Sequence, residues 1–506
     1  MMYFLKKHEI LIKLCLFSSV LKTFDVLFNY IVSRDSVRYV NAAYEFSLGN
    51  FKLGLSYAES LPFFPLLLLA FHYVIDNWIL SGQILSAILW SLAVIPLYLL
   101  TRGLFGEKAA LWSGLAFTLS PVFNEYSGDI MREAPFAFFI LWAGYYAHRS
   151  FQYIRVIDFV AASICVVLAQ LFRFEGLVFF LVFPSLILVF IWFDQQSRLA
   201  WLRGLAGYVA VPVLLMIGFA LAFRGYFAEM RWGAGVIELV DNLFNASPFG
   251  LLPDTYEKLS KVESLFTNAQ WAHDVIETTK NYILVVYAIG FMDAFVSNLT
   301  PLCFLAAAYG IYHGKPGNQR INRCMLVLAL AALPAAYYFL VSKNFVSGRY
   351  MLASIVLLYP WAGVGVETLC ERIKISSRGR WLLPAVLVIF VLLPALMTVR
   401  GWSFGSKAHV ELARWLNSNP EICGKTITND ERLMLYAGHF RGEYVVYDDN
   451  VTGLFESLAK DADVVIIRSS RKEAIADKYD DFSMRASFVD HKSVIRVYMK
   501  TGKFSG

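Results

Sequence analysis

LPFFPLLLLAFHYVID, residues 61–76, is the stretch on which the topology turns. It is apolar, but Pro62, Pro65 and His72 interrupt it, and it is shorter than the ~20 residues a helix needs to cross a bilayer. Such a segment suits the membrane interface better than a full crossing. Its reading fixes every later loop, because each crossing reverses the side of the chain. Lys and Arg collect in the short loops that stay cytoplasmic. With 61–76 left at the interface, the inner loops carry Lys6 and Lys7, Arg102 and Lys108, Arg149 and Arg155, and Arg198 and Arg203. The remaining inner loops carry Lys315, Arg320 and Arg323, then Arg372, Lys374, Arg378 and Arg380. A crossing at 61–76 would destroy this regularity from Arg102 onward.

The spans themselves are expected at 10–32, 78–101, 109–127, 134–148, 157–172, 177–193, 205–223, 282–312, 324–342, 351–369 and 381–399. The expectation is thus an α-helical polytopic membrane protein of about 11 transmembrane helices, with its N-terminus inside. Residues 10–32 lack a small-residue cleavage site and read as a retained span. Composition agrees: 58% of the 506 residues are hydrophobic and 17% are charged, against about 25% charged in soluble domains. The net charge is only +6, without basic tracts or nucleic-acid-binding motifs, so no nucleic-acid partner is expected. The six cysteines have neither CxxC nor zinc spacing, and only Cys423 lies in a polar region.

Three segments then face outward: 33–77, 224–281 and 400–506. The last alternates β-like EYVVYDD, ADVVIIRSS and SVIRVYMK with helix-like HVELARWLNSN. The division expected is a membrane part, 1–400, and a small soluble α/β domain, 401–506, on the outer side.

Acids gather at the same outer side. Asp35 follows the first span in VSRDSVRYVNAAYEFSLGNF, residues 32–51, while Asp129 and Glu133 follow the third in SPVFNEYSGDIMREAPFAFF. Four residues apart, Asp129 and Glu133 would share a helical face. Carboxylates at membrane depth are costly and tend to mark function. One can serve as general base while others hold a cation or orient a hydroxyl. A plainer reading has Asp35 N-capping an interfacial helix, with Tyr39 and Ala43 on one face. In that reading Glu133, just before Pro135, sits in a helix's first turn where acid suits the dipole.

RDSVRYVNAAYEFSLGNF resembles the first outer loop of GT-C glycosyltransferases, especially the branch of protein O-mannosyltransferases and the lipid A aminoarabinose transferase. That branch runs Asp-x-x-x-Tyr-x-x-x-Ala with a Gly following, matched by Asp35, Tyr39, Ala43 and Gly49. Residues 93–139 resemble the following two spans and second acidic loop, with Glu133 in the acid position. LFRFEGLVF, with Arg173 and Glu175, is similar to the branch's Arg-Pro-Glu-Gly turn, Phe174 replacing Pro. SGRYMLASIVLLYP resembles its late Arg-Tyr motif at Arg349 and Tyr350, and YAES at 57–60 resembles a Tyr-Phe-Glu-Lys-Pro motif at Glu59, with Ser60 where the pattern has Lys.

The resemblance implies an enzyme that transfers a sugar from a polyprenyl-phosphate donor, with inversion and with Asp35 as base. Lipid, glycan and protein acceptors all stay open. The donor fits an outer-face site, since nucleotide sugars are cytoplasmic. No nucleotide cofactor is expected, as neither a Walker loop nor GxGxxG after a strand occurs. Arg173 and Arg349 are candidates to grip the phosphate, as bidentate guanidinium forks. The alternative for Arg173 is an ion pair with Glu175. Arg38 could do either. Tyr39, Glu175 and Tyr350 complete the expected substrate contacts. Glu59 is by the same resemblance a candidate metal-binding or substrate-orienting acid, and His273 is a candidate metal ligand, although a lone loop His is more often solvated. Membrane lipids surround such a protein, and a bacterial inner membrane is the expected setting. A transporter or flippase of lipid-linked substrates is the main alternative, and an inactive scaffold is another.

Overall fold

The computed structural model describes residues 9–28, 31–58, 62–222, 252–266, 270–315, 317–345, 347–375, 382–401, 407–419, 424–440, 444–446, 462–471, 478–479, 481–490 and 493–501. Packing divides the chain into two compact units. The first holds Met1–Leu21, Ile88–Asn124 and Arg132–Thr398, and the second Lys22–Ala87, Glu125–Met131 and Val399–Gly506.

Among the described residues, five helical stretches are long and apolar enough to cross a membrane: Trp78–Phe105, Phe174–Phe193, Arg198–Leu215, Gln319–Lys343 and Gly348–Lys374. A sixth results if Gln270–Asn281 and Ile283–Leu299, bent by 78°, form one span. These helices make the chain an integral membrane protein. Other apolar runs form shorter or more charged helices for local reasons. Pro121 opens a new helix and divides the run 109–127 into Glu107–Thr118 and Pro121–Ser127. Helix Glu9–Phe28 has 20 residues but carries Glu9, Lys13, Lys22 and Asp25. Lys22 and Asp25 turn inward and are buried, and the Ser127 hydroxyl donates to Asp25 (3.1 Å). Residues 61–76 give helix Phe63–Ile75, 13 residues long, which Asp76 ends in the left-handed region at φ 50°.

In the first unit, helix Leu352–Ile375 runs through the core with Tyr359 and Trp361 buried. It approaches helix Pro301–His313 at backbone distance through Gly310 and Gly365. A Cβ on Gly365 would overlap the Ala306 carbonyl oxygen, and one on Gly310 would overlap that of Trp361. Small residues at such crossings let packing drive association where the hydrophobic effect offers none. Backbone cannot swing aside as a side chain can. Gly365→Ala should therefore cost about 1–3 kcal/mol, read as a lower midpoint of thermal unfolding in detergent. An unchanged midpoint would mean the two helices separate at little cost.

Among the described residues the second unit combines helices Arg34–Ser47, Phe51–Tyr57 and Phe63–Ile75 with a six-stranded sheet. Its strands are β1 (Thr426–Thr428), β2 (Tyr444–Val446), β3 (Val464–Ser470), β4 (Lys478–Tyr479), β5 (Phe482–Val489) and β6 (Ser493–Lys500), in the order β2-β1-β3-β6-β5-β4. β1 pairs in parallel with β2 and β3, whereas β3–β6, β6–β5 and β5–β4 are antiparallel. The first four residues of β3, Val464–Ile467, form a continuous apolar run because both faces are covered there. Val464 and Ile466 pack with Leu412 and Leu433 of helices Ala408–Ser418 and Glu431–Tyr436, while Val465 and Ile467 pack with Phe482 and Tyr498 on the other face.

Candidate functional site

Two groups of the expected residues are assembled, one in each unit. The group in the first unit lies where three helical segments begin. Glu133 is the first residue of helix Glu133–Tyr153, with Pro135 in the first turn where its missing N–H costs nothing. Arg173, in extended backbone, precedes the 3₁₀ turn Phe174–Gly176, and Arg349 and Tyr350 lie in the 3₁₀ turn Gly348–Met351. Arg173 Nη1 forms a short ion pair with Glu133 Oε1, while its Nη2 reaches Glu175 Oε1 at 2.6 Å and its Nε donates to both Glu175 oxygens at 3.2 Å. The guanidinium also faces the ring of Tyr350 at 5.5 Å. Arg173 thus pairs with Glu175, as the plainer reading had it, and with Glu133 as well.

Burial separates these residues. The side chains of Arg173 and Glu133 are 3% and 1% exposed, that of Arg349 is 30% exposed, and Arg349 Nη1 lies 3.9 Å from Glu133 Oε1. Glu133 Oε2 is buried without a hydrogen-bond partner among the described residues. An unmatched carboxylate oxygen in such surroundings is costly. Among the described residues the cluster sets the guanidiniums of Arg173 and Arg349 against the carboxylates of Glu133 and Glu175. Arg349 has the most accessible guanidinium and the best access to a bound anion.

The second group surrounds Asp35. Helix Arg34–Ser47 is capped by Ser33, whose hydroxyl accepts from the Ser36 N–H at 3.3 Å. Ser33, rather than Asp35, is therefore the N-cap, and Asp35 lies half-buried in the first turn. Asp129 completes the helix end. Its Oδ1 accepts from the Ser33 N–H (2.9 Å), the Ser36 hydroxyl (2.6 Å) and its own neighbour, the Ile130 N–H (2.8 Å). Burial raises the Asp129 carboxyl from its usual range, while these hydrogen bonds pull it back. From the sheet side, the Tyr436 hydroxyl accepts the Val32 N–H at 3.1 Å. Tyr39 is buried and meets Phe64 edge-on at 5.0 Å, so its ring packs in the core, and Arg38 is half-buried.

Asp129 and Glu133 do not share a helical face. Asp129 sits in non-helical backbone before helix Glu133–Tyr153, where its carboxylate serves the helix of Asp35 instead. Asp129→Ala should loosen the first turn of that helix by about 0.5–2 kcal/mol. Faster amide exchange at residues 35–38 would register it, and Asp129→Asn, which keeps an acceptor, should lie between. Unchanged exchange in Asp129→Ala would deny Asp129 this duty.

His273 lies in helix Gln270–Asn281, with its Nδ1 3.0 Å from Glu263 Oε1, while Glu263 Oε2 takes Lys280 Nζ at 2.7 Å. Both oxygens of that carboxylate are therefore engaged. Among the described residues no three His, Cys, Asp or Glu side chains are placed to hold a metal ion, and Glu59 lies outside those residues. Ser33 is a cap legible from residue type, Ser being among the preferred N-cap residues. The charges Lys22 and Asp25 within an apolar run are a further signal in the sequence, and both are buried.

The fold is shared with solved structures at low sequence identity. The chain is similar to ArnT from Cupriavidus metallidurans bound to undecaprenyl phosphate, with a TM-score of 0.52 and 14% identity, over 97% of this chain and 98% of that one. It is also similar to the Archaeoglobus fulgidus oligosaccharyltransferase tethered with an acceptor peptide, with a TM-score of 0.55 and 13% identity, over 92% of this chain and 70% of that one. At such identities the likeness is one of fold. Residues 59–222 match the family profile described as dolichyl-phosphate-mannose-protein mannosyltransferase. No curated protein matches the chain in sequence.

Proposed function

We propose that this chain is a membrane glycosyltransferase that moves a sugar from a polyprenyl-phosphate carrier to a hydroxyl of a lipid, glycan or protein acceptor. The observation that carries the reading is Asp35. It is an acid in the first turn of an outer-loop helix whose capping is done by Ser33 and Asp129, within a fold shared with a glycosyltransferase that holds undecaprenyl phosphate. The Asp35 carboxylate takes the proton of the acceptor hydroxyl as that oxygen attacks the anomeric carbon. The bond from the anomeric carbon to the phosphate oxygen breaks, and the electron pair leaves with the polyprenyl phosphate. One in-line displacement inverts the configuration and needs no covalent enzyme intermediate. Arg349 steadies the leaving phosphate. Glu133 and Glu175 hold Arg173, and Tyr350 packs on it, so that the cluster keeps its geometry.

In this reading about eleven spans place the N-terminus inside, residues 1–400 form the membrane part, and 401–506 form an outer-side domain at a bacterial inner membrane. Purified protein in nanodiscs, given polyprenyl-phosphate sugars and a panel of acceptors, should form a glycoside of inverted configuration. Movement of the intact lipid-linked sugar across vesicles without any transfer would overturn the reading in favour of a flippase.

A further inference from the structure

The second unit carries a cleft that the transfer step does not use. It encloses about 370 Å³, within the range of about 300–1,000 Å³ usual for ligand sites. It lies at the carboxyl ends of the parallel strands β1 and β3: Asn429 and Asp430 follow β1, and Ser469 and Ser470 end β3. From β1 the chain goes to β2 on one side, and from β3 it goes on to β4, at the opposite edge of the sheet. Ligands of open α/β sheets settle at such a switch point, outside the carboxyl ends of the strands.

The lining is cationic. Arg34, Arg432 and Arg468 face it against one carboxylate, Asp430, among the described residues. Asp430 holds two of the guanidiniums in place. Arg432 Nε and Nη2 donate to its two oxygens at 2.7 and 2.6 Å, and Arg468 Nη1 donates at 3.0 Å. Arg468 is further fixed by the Ser493 hydroxyl at 3.2 Å, and its backbone is bracketed by two hydrogen bonds to Asn429, each 2.8 Å. Burial alone would push the Asp430 carboxyl up. The approach of His409 and the two guanidiniums overrides it and holds the carboxyl well below the usual carboxylate range. The arginines therefore stay aligned at any ordinary pH. Serine hydroxyls and an amide surround them, and no apolar side chain lines the cleft among the described residues. A lipid tail or an apolar peptide finds no footing there, whereas a sugar hydroxyl does.

We propose that this cleft binds a saccharide through an acidic substituent, a phosphate or a carboxylate, and that it selects the acceptor. The link to transfer rests on the glycosyltransferase reading above. Arg34 immediately precedes Asp35 in the same helix, so the cleft and the proposed base are tied to one helical segment. Guanidinium forks match both substituents.

Calorimetric titration of the full-length protein in phosphatidylcholine nanodiscs tests this with glucose 1-phosphate, galacturonate and, as the uncharged control, glucose. Both charged sugars should bind at least about tenfold more tightly than glucose. Arg34→Gln should weaken them about tenfold, as should Asp430→Asn combined with Arg468→Gln, which removes one charge of each sign. Equal binding of glucose, or charged sugars unaffected by both variants, would overturn the proposal. If the variants weaken only association with phosphatidylglycerol nanodiscs, the occupant is a lipid headgroup and the saccharide assignment fails. The same preparations are assayed for release of sugar from polyprenyl phosphate. Turnover without binding of charged sugars sinks the cleft, and binding without turnover of any lipid-linked sugar sinks the glycosyltransferase reading instead.

Discussion

Asp35→Asn should lower sugar transfer by about 10²–10⁴-fold, the usual contribution of a positioned general base. The amide cannot accept the acceptor's proton, but it occupies nearly the same volume. Ser33 caps the helix and Asp129 receives the Ser33 N–H, so the substitution removes no capping hydrogen bond. Loss of the first-turn charge itself is worth about 0.3–1 kcal/mol. Rate and stability should therefore part company: initial rates collapse while the thermal midpoint and the affinity for lipid-linked sugar barely move. Full activity in Asp35→Asn would remove Asp35 from the chemistry. An equally large fall in stability would turn the loss of rate into a folding effect.

Arg173→Met should cost about 3–5 kcal/mol, because it leaves the Glu133 carboxylate buried without its closest cation. Arg349, at 3.9 Å, is too far to replace the contact in full. The double variant Arg173→Met with Glu133→Leu removes both charges and should recover much of the loss, since packed apolar side chains of similar volume often serve as well as a buried pair. Arg173→Lys should fall between, because an ammonium cannot fork to Glu133 and Glu175 together. Thermal unfolding in detergent reads all three. A single variant as stable as the starting protein, or a double variant worse than the single, would show that the pair does not hold these segments.

The two predictions bear on different residue groups, and their legibility in sequence differs too. Asp35 stood out because a charge beside an apolar run is conspicuous and its spacing to Tyr39 and Ala43 formed a recognisable pattern. Its immediate surroundings did not. Asp129 looked like a helical neighbour of Glu133 at a spacing of four residues, yet the helix begins at Glu133. Proline at the third helical position suits a start there, and the Asp129 carboxylate finds its donors at Ser33 and Ser36, 96 and 93 residues away. The cleft residues Arg432, Arg468 and Ser493 form no pattern along the chain; parallel pairing of β1 with β3 and antiparallel pairing of β3 with β6 bring them to one end of the sheet.

By itself the sequence determined that this is a helical membrane protein, where its apolar segments lie, and that 444–446, 464–470 and 493–500 fall in β-like runs and 409–418 in a helix-like one. Those properties are local: hydropathy, length and the periods of 3.6 and 2 act residue by residue along the chain. Tertiary structure alone decided that Arg173 bridges Glu133 and Glu175, that Asp129 serves the helix of Asp35, and that a cationic cleft opens at the ends of β1 and β3. A carboxylate's partner depends on which segment ends meet in space, and no periodicity along the chain encodes that meeting.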